Sequence, residues 1–312
     1  MMTQLNLTKT ISTPAVPKGL AAAATFSRKK TNQDACAIMD DPKSPLSAVI
    51  VADGVGSYFE SQVASASVAS SIKSYLEPCT MPYLLDLKLA FAFAQKLLRQ
   101  EVEGRVHSLP ANVNLQSAYG TTALCAVDVG DSFKIGYVGN GAVWHLRGDF
   151  DQLSVGRLLP SSTVNLLNPH CRWYDGRSML TRIISPTTND ADSMPTVLHF
   201  SKDDLLGDLL VLVSDGVYSY DDVQIGRDSK GKIFIEAKRS VEWLYGALSN
   251  FMSGPLTKVA LQSCLESYLQ KLNEDGLVDD DVTVAVLVSS GAMAYRRHLT
   301  TASSAVGEEM AE

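Results

Sequence analysis

The chain has 312 residues, of which 46% are hydrophobic and 20% are charged, and its formal net charge at pH 7 is −7. This apolar content is sufficient for a full hydrophobic core, which excludes a disordered chain. The acidic balance argues against a general nucleic-acid-binding protein, because such proteins usually present a basic face.

The lack of recognisable targeting signals and the pattern of cysteines predict a protein of the cytoplasm. No stretch approaches the roughly 18 consecutive apolar residues of a membrane-spanning helix, and the first residues lack the apolar region of a signal peptide. The five cysteines are scattered and odd in number, as is typical of reduced thiols. We therefore expect a cytoplasmic monomer that binds neither membranes nor nucleic acid.

The first third of the chain is predicted to contain two strands followed by two helices. Residues 1–20 show little periodicity and are interpreted as a flexible arm. Apolar runs bounded by turn residues predict strands over 35–39 and 47–52. Apolar residues at steps of three and four predict helices over 60–76 and 83–103.

The remainder of the chain is predicted to be rich in strands before two further helices. Residues 148–195 are irregular and too long for a simple connection, which indicates a functional segment. Because strands and helices are grouped rather than strictly alternating, the order favours an α+β fold. One domain is assigned to 21–291, and a tail with a disordered end to 292–312. The predicted strands cover 121–128, 132–138, 142–146, 209–213 and 282–288, and the predicted helices cover 241–251 and 256–272.

Acidic residues occur where apolar strands begin or end. Strand ends lie at the rim of a core, and carboxylates converging there would repel one another without a cation. A hard divalent ion such as Mg²⁺ or Mn²⁺ takes oxygen ligands and would relieve that repulsion. A single Asp-Gly is more often only a turn, but two copies of Asp-Gly-Val-x-Ser favour a shared site. The acids concerned are Asp34, Asp53, Asp215 and the triplet Asp279, Asp280 and Asp281.

Five short motifs occur in an order that resembles the metal-dependent protein phosphatases of the type 2C class. They are SRKKTNQDA, VADGVGS, the segment beginning YGTTALCAVDVG, LVLVSDGVYS and DDVTV, and the resemblance runs from about Phe26 to Ser289. The class removes phosphate from Ser and Thr residues of proteins. The resemblance implies a four-layer αββα sandwich, in which helices flank two antiparallel sheets.

The resemblance also implies a binuclear centre that holds two Mn²⁺ or Mg²⁺ ions. Asp53 matches the residue that bridges both ions, and Gly54 matches a residue that supplies its carbonyl oxygen. Asp215 and Asp280 match the remaining carboxylate ligands. A water activated by such ions would attack phosphorus without a covalent phosphoenzyme.

Three further residues receive roles from the same resemblance. Asp34 matches an acid that orients the attacking water. Lys29, or the adjacent Arg28, stands where the class places its phosphate-binding cation. The implied substrate is a phosphorylated protein, and a Ser/Thr kinase is the implied signalling partner.

Some residues depart from the pattern of the class, and they favour an alternative function. Gln33 replaces a Glu and brings no charge to the site. Asn140 and Ser219 stand where acids would be expected to support a third ion, which argues against one. The alternative is a weak or inactive pseudophosphatase that binds a phosphoprotein or a kinase without turnover.

A remote alternative comes from residues 170–178, which fit the H-C-x5-R-S pattern of Cys-dependent phosphatases. In such enzymes a thiolate attacks phosphorus, so Cys171 would be the nucleophile and Arg177 a phosphate ligand. Pro169 precedes the pattern where a buried strand is required, which disfavours this reading. As part of a loop near the metal cleft, Arg172, Trp173 and Arg177 could instead touch the substrate.

Overall fold

The structure is a computed structural model that describes residues 19–294 except 106, 108, 149–162, 176, 204, 219–223, 228–232 and 237–238. The predicted arm up to residue 18, the end of the predicted tail and Ser219 therefore lie outside the described residues.

The described residues of the first half of the chain form six strands and two α-helices. Their bounds are β1 (Leu20–Phe26), β2 (Asp34–Met39), β3 (Ser47–Asp53), α1 (Ser61–Leu76), α2 (Leu87–Glu103), β4 (Ala123–Asp128), β5 (Ser132–Val138) and β6 (Ala142–Arg147). Helix α2 begins four residues later than predicted, because the Asp86 side chain accepts a hydrogen bond from the Lys88 amide and caps the helix there.

The second half contributes eight strands and two α-helices among the described residues. They are β7 (Thr163–Asn165), β8 (Cys171–Tyr174), β9 (Arg177–Leu180), β10 (Thr196–Ser201), β11 (Asp208–Val213), β12 (Gln224–Arg227), β13 (Ile233–Glu236), α3 (Arg239–Ser253), α4 (Lys258–Glu274) and β14 (Val282–Val288). The segment predicted to be irregular thus contains three short strands, and β10 directly follows it.

Two five-stranded antiparallel sheets form the centre of the fold. One has the order β1-β14-β11-β6-β7, and the other has the order β10-β5-β4-β3-β2. Helices α3 and α4 pack on the first sheet, α1 and α2 pack on the second, and a third apolar cluster lies between the sheets. The predicted four-layer αββα sandwich is therefore confirmed.

The amphipathic stripes of the helices are buried as their spacing predicts. Ala64, Val68, Ile72 and Leu76 of α1 are fully enclosed against the second sheet. Ala292 and Met293, which the sequence analysis assigned to the tail, pack in the core beneath the first sheet. None of the described helices is both long and apolar enough to cross a membrane.

Candidate metal and phosphate site

A cavity of about 800 Å³ opens where β3 and β11 end, and we refer to it as the cleft. Three of the acids predicted to converge, Asp53, Asp215 and Asp280, line the cleft together with Gly54. A second wall of the cleft is formed by β9 and by the segment that follows it, as far as Asp192.

Asp53 lies at the centre of the acidic group because of the strand register. Strands β2 and β3 pair so that Asp34 lies directly opposite Asp53. The Asp53 carbonyl accepts hydrogen bonds from the Thr122 amide at 2.8 Å and from the Thr121 hydroxyl at 2.9 Å. The backbone of the central acid is thereby held by the start of β4.

The carboxylates oppose one another's ionisation when no cation is present. Burial raises the pKa of Asp53 well above its ordinary value, and the charges of Asp34 and Asp215 raise it further. Burial raises the pKa of Asp34 to about 6. Both carboxylate oxygens of Asp34 are buried without a hydrogen-bond partner. A cation entering this group would lower these pKa values and offset the cost of burying the charges.

The structure assigns different environments to the acids that begin β14. Asp280 is 57% exposed and accepts a hydrogen bond and ion pair from the ammonium of Lys29. Asp281 is buried and does not line the cleft, and its carboxylate accepts hydrogen bonds from the Ser27 hydroxyl and the Gln33 backbone amide. Asp279 is exposed and lies outside the cleft. Asp280 is therefore the member of the triplet that is available to the cleft.

These acids fit hard divalent ions by their donor chemistry but do not form a ready-made site. Among the residues that the structure describes, no group of three or more His, Cys, Asp or Glu side chains is arranged to hold a metal. The carboxylate of Asp280 is already engaged in an ion pair with Lys29. Metal binding through Asp280 would require this carboxylate to exchange Lys29 for the ion.

Lys29 and Arg28, the two predicted phosphate-binding residues, do not line the cleft. Burial lowers the pKa of Lys29, but its contacts with Asp280 and Asp281 outweigh that effect and the net pKa is raised. Arg28 points to the end of α4, where its guanidinium donates to the side chain and the carbonyl of Asn273. Arg28 thus fastens a surface loop.

Two residues that depart from the class pattern hold other parts of the site. The Asn140 amide donates to a carboxylate oxygen of Asp215 at 2.8 Å. The side-chain amide of Gln33 donates to the Ser61 hydroxyl at 2.6 Å, and the backbone carbonyl of Gln33 accepts from the Gly54 amide at 3.1 Å. A side chain at Gly54 would place its Cβ only 2.6 Å from the Gln33 carbonyl oxygen, so this close approach requires glycine.

Arg182 is a cleft residue that the sequence analysis missed. Of the Lys and Arg residues that the structure describes, it is the one that lines the cleft. Its guanidinium makes no hydrogen bond or ion pair with the described residues. The backbone near it is fixed, because Ile184 and Thr121 exchange hydrogen bonds at 2.8 and 2.9 Å. No motif pointed to Arg182, since it lies in the segment predicted to be irregular.

Comparison with protein families adds to this geometry. Residues 23–168 match the sequence model described as protein phosphatase 2C. This match covers a little under half of the chain, and that part is similar to the protein phosphatase 2C family. No curated protein sequence gives a significant match.

Solved structures share the family fold over most of the chain. A serine/threonine phosphatase of S. agalactiae is 16% identical with a TM-score of 0.56, covering 86% of this chain and 98% of that one. PppA of Pseudomonas aeruginosa is 17% identical with a TM-score of 0.56, covering 88% and 99%. The catalytic domain of PstP, described in complex with two manganese ions, is 16% identical with a TM-score of 0.53, covering 87% and 98%.

The Cys-dependent alternative lacks the loop that it needs. Strands β8 and β9 form an antiparallel hairpin in which Cys171 pairs with Leu180 and Tyr174 pairs with Arg177. The Cys171–Leu180 pair lies three residues along the strands from the Tyr174–Arg177 pair, and three residues of strand span about 10 Å. The backbone therefore does not curl into a phosphate-binding loop between Cys171 and Arg177.

His170 fastens the base of this hairpin and should remain neutral. Its Nδ1 accepts from the Gly139 amide at 3.1 Å, so its Nε2–H donates to the Thr196 hydroxyl at 2.8 Å. Burial, with a contribution from the charge of Arg182, lowers the pKa of His170 to about 4.

We predict that this histidine makes the fold less stable in mild acid. Below the ordinary histidine pKa of about 6.5 the unfolded chain binds a proton that the native protein does not. The contribution of His170 to the free energy of unfolding should therefore be constant above pH 6.5 and should fall as the pH drops towards 4, whereas Asp34 and Asp53, whose pKa values are raised, contribute in the opposite sense. Urea unfolding of the wild type and of His170→Gln across this range isolates the histidine: the difference in stability between them should shift against the wild type as the pH falls. An NMR titration of His170 with a midpoint near 6.5 would contradict the prediction.

Proposed function

We propose that this chain is a metal-dependent phosphatase that hydrolyses phosphoserine and phosphothreonine in proteins. One observation carries the proposal: three acids at strand ends, Asp53, Asp215 and Asp280, line one cleft, and the buried carboxylate of Asp34 lies directly opposite Asp53 in the register of β2 and β3. Buried carboxylates in such a group are costly unless they serve a cation, and the match of residues 23–168 to the protein phosphatase 2C model supports the same reading.

Asp53, the carbonyl of Gly54, Asp215 and Asp280 would hold two ions, Mn²⁺ or Mg²⁺. A neighbour in fold, PstP, is described with two manganese ions, which supports this choice. Bound ions would supply positive charge that neutralises the phosphate and lowers the pKa of the attacking water. Asn140 would keep Asp215 in position through its 2.8 Å hydrogen bond, and no residue is assigned to a third ion.

The remaining roles fall to side chains around the acids. The unpartnered oxygens of Asp34 would accept a hydrogen bond from the attacking water and orient it. Arg182 would hold phosphoryl oxygens from the second wall, because its guanidinium is the free cation among the described cleft residues. Lys29 would approach the phosphate once Asp280 has turned to an ion.

Hydrolysis of p-nitrophenyl phosphate with and without Mn²⁺ tests the proposal. We expect turnover that requires Mn²⁺, stops with a chelator and resists vanadate. The Cys171→Ser variant should retain this activity, because Cys171 has no part in the mechanism. Activity that is independent of metal and sensitive to vanadate would favour a thiolate enzyme. The absence of activity at any Mn²⁺ concentration would contradict the proposal.

A second candidate function is a pseudophosphatase that binds a phosphoprotein or a Ser/Thr kinase. The ion pair of Lys29 with Asp280, together with the lack of a ready-made metal group among the described residues, favours it. Tight binding of a phosphopeptide without turnover in saturating Mn²⁺ would support this function.

The role of Lys29 can be separated from that of its neighbour Arg28. We predict that Lys29→Ala raises KM for p-nitrophenyl phosphate by about tenfold, the effect of one charge-assisted contact to phosphate. The Mn²⁺ concentration for half-maximal activity should change less than KM and should not rise, because Asp280 loses a competing partner. Arg28→Ala is the matched control, since Arg28 contacts Asn273, and its KM should be unchanged. An unchanged KM in Lys29→Ala would assign phosphate binding to other residues.

A further inference from the structure

The side chain of Gln95 is a polar group enclosed in the apolar packing of α2. Only 2% of this residue is exposed, and the buried residues around it on the helix include Phe91, Ala94 and Leu98. An amide side chain offers two N–H donors and one carbonyl acceptor, and leaving them unpaired in a core is unfavourable. Gln95 is therefore expected to have specific partners.

All three hydrogen bonds of this amide go to the segment that follows β9 and helps to form the second wall of the cleft. The side-chain nitrogen of Gln95 donates to the Ser185 carbonyl at 3.3 Å and to the Thr188 carbonyl at 2.7 Å. The side-chain oxygen accepts from the Ser193 hydroxyl at 2.6 Å. Residues 185–195 form neither helix nor strand, so a side chain of α2 binds carbonyl oxygens that a neighbouring strand would bind in a sheet.

Arg99 lies four residues further along α2 and binds the same segment. Residues four apart share one face of a helix. The Arg99 guanidinium donates to the carbonyls of Pro186 and Thr188 at 3.1 and 2.7 Å, and it pairs with the Asp190 carboxylate at 3.0 Å. The Thr188 carbonyl thus accepts hydrogen bonds from both side chains of α2. We refer to Gln95 and Arg99 together as the α2 clamp.

The α2 clamp connects the helix to the cleft. The cleft-lining residues of the clamped segment all carry a hydroxyl, an amide or a carboxylate, and they are Ser185, Thr187, Thr188, Asn189 and Asp192. Arg182 lies three residues before Ser185, and no hydrogen bond or ion pair with the described residues directs its guanidinium. Its direction therefore depends on the backbone that follows it. The pairing of Ile184 with Thr121 fixes one point of that backbone, and the clamp fixes a second, which prevents the chain from pivoting.

We propose that Gln95 is a positioning residue for phosphate binding, which holds the second wall of the cleft so that Arg182 reaches the phosphoryl oxygens. The inference rests on the proposed function for the role of Arg182. Without the amide of Gln95, the carbonyls of Ser185 and Thr188 lose a buried donor, and the segment shifts to find other partners. A shift of about 1 Å is enough to weaken a charge-assisted contact to phosphate. Gln95 does not line the cleft, so it acts through the wall and not on the substrate.

Steady-state kinetics distinguish positioning from a general contribution to stability. Gln95→Met keeps the length of the side chain and its apolar contacts but removes its hydrogen bonds. We expect it to raise KM for p-nitrophenyl phosphate by about tenfold, while kcat and the Mn²⁺ concentration for half-maximal activity stay within about twofold. Val102→Ala is the matched control, because Val102 is buried seven residues further along α2 and does not line the cleft. Its loss of packing should lower Tm and leave KM unchanged.

A double variant tests whether Gln95 acts through Arg182. In an Arg182→Ala background, Gln95→Met should change KM by less than about twofold, because the contact that it positions is already lost. A full tenfold effect in that background would overturn the inference, as would an unchanged KM in Gln95→Met alone. If Gln95→Met does not fold, Arg99→Ala takes its place, since Arg99 is partly exposed and grips the same segment. It should raise KM in the same direction, and an unchanged KM there would also overturn the inference.

Two measurements on the same variants do not depend on turnover. Hydrogen exchange of the peptide that covers residues 182–194 should be faster in Gln95→Met than in the wild type or in Val102→Ala. The affinity for inorganic phosphate in the presence of Mn²⁺, measured by calorimetry, should fall by about tenfold in Gln95→Met. If the wild type does not hydrolyse p-nitrophenyl phosphate but this fall is found, the proposed function fails and the role of Gln95 stands. Equal phosphate affinities, or equal exchange rates, would overturn that role even in an active enzyme.

Discussion

Replacing Asp53 by Asn should lower Mn²⁺-dependent hydrolysis by about a thousandfold, which corresponds to several kcal/mol of transition-state stabilisation. Asp53 lies between Asp34 and Asp215, and the charges of both raise its pKa in the absence of a cation. Asn has the same size but no negative charge, so it weakens the attraction for both proposed ions at once. The measurement is kcat/KM for p-nitrophenyl phosphate over a range of Mn²⁺ concentrations.

Thermal unfolding gives this prediction a second readout. Mn²⁺ should raise the Tm of the wild type by binding the native state, and it should raise the Tm of Asp53→Asn much less. Without Mn²⁺ the variant should be at least as stable as the wild type, because one buried charge has been removed. Asp279→Asn is the matched control, since Asp279 is exposed and outside the cleft. Near-normal activity in Asp53→Asn would refute the two-metal reading.

Removal of the Arg182 guanidinium should produce the second largest effect. Hydrogen bonds to charged groups contribute about 1.5–3 kcal/mol, so Arg182→Ala should lower kcat/KM by roughly 10–150-fold. The loss should appear with p-nitrophenyl phosphate as well as with phosphopeptides, because the proposed contact is to the phosphoryl oxygens. The Mn²⁺ dependence should remain that of the wild type, since no carboxylate ligand of the proposal is changed.

Two further variants define the role of Arg182. Arg182→Lys keeps the charge but loses the two-pronged geometry of guanidinium, so it should restore only part of the activity. Arg105→Ala removes an exposed cation that pairs with Glu101 on α2 and should have no effect on turnover. If Arg182→Ala retained the wild-type KM and kcat with both substrates, the phosphate would have to be held by other groups.

The elements that sequence reasoning predicted well are those whose residue pattern is dominated by one buried face. The spacing of Ala64, Val68, Ile72 and Leu76 places all four on one side of α1, and all four are buried. Strand β14 has the predicted bounds because a run that is apolar except for Thr283 is long enough for one strand and too short for a helix.

The strands that were not predicted have sequences without a clear strand preference or alternation of apolar and polar residues. Strand β1, with sequence LAAAATF, is rich in alanine, which has a low strand preference, and it forms because β14 offers seven partners in register. Strand β10 is an edge strand with only partly buried residues, so its alternation is weak. Hairpin β8–β9 forms no part of either large sheet.

The sequence by itself determined the fold class and the group of acids, because acids that directly follow or precede buried strands are carried to the same rim of the sandwich. Only the tertiary structure decided which neighbours those acids meet. Lys29 reaches Asp280 across a separation of 251 residues, and Asn140 reaches Asp215 across 75. The same holds for Arg182, which becomes a cleft residue through the pairing of Ile184 with Thr121. Contacts of this kind depend on sheet order and register, which no local pattern of residues encodes.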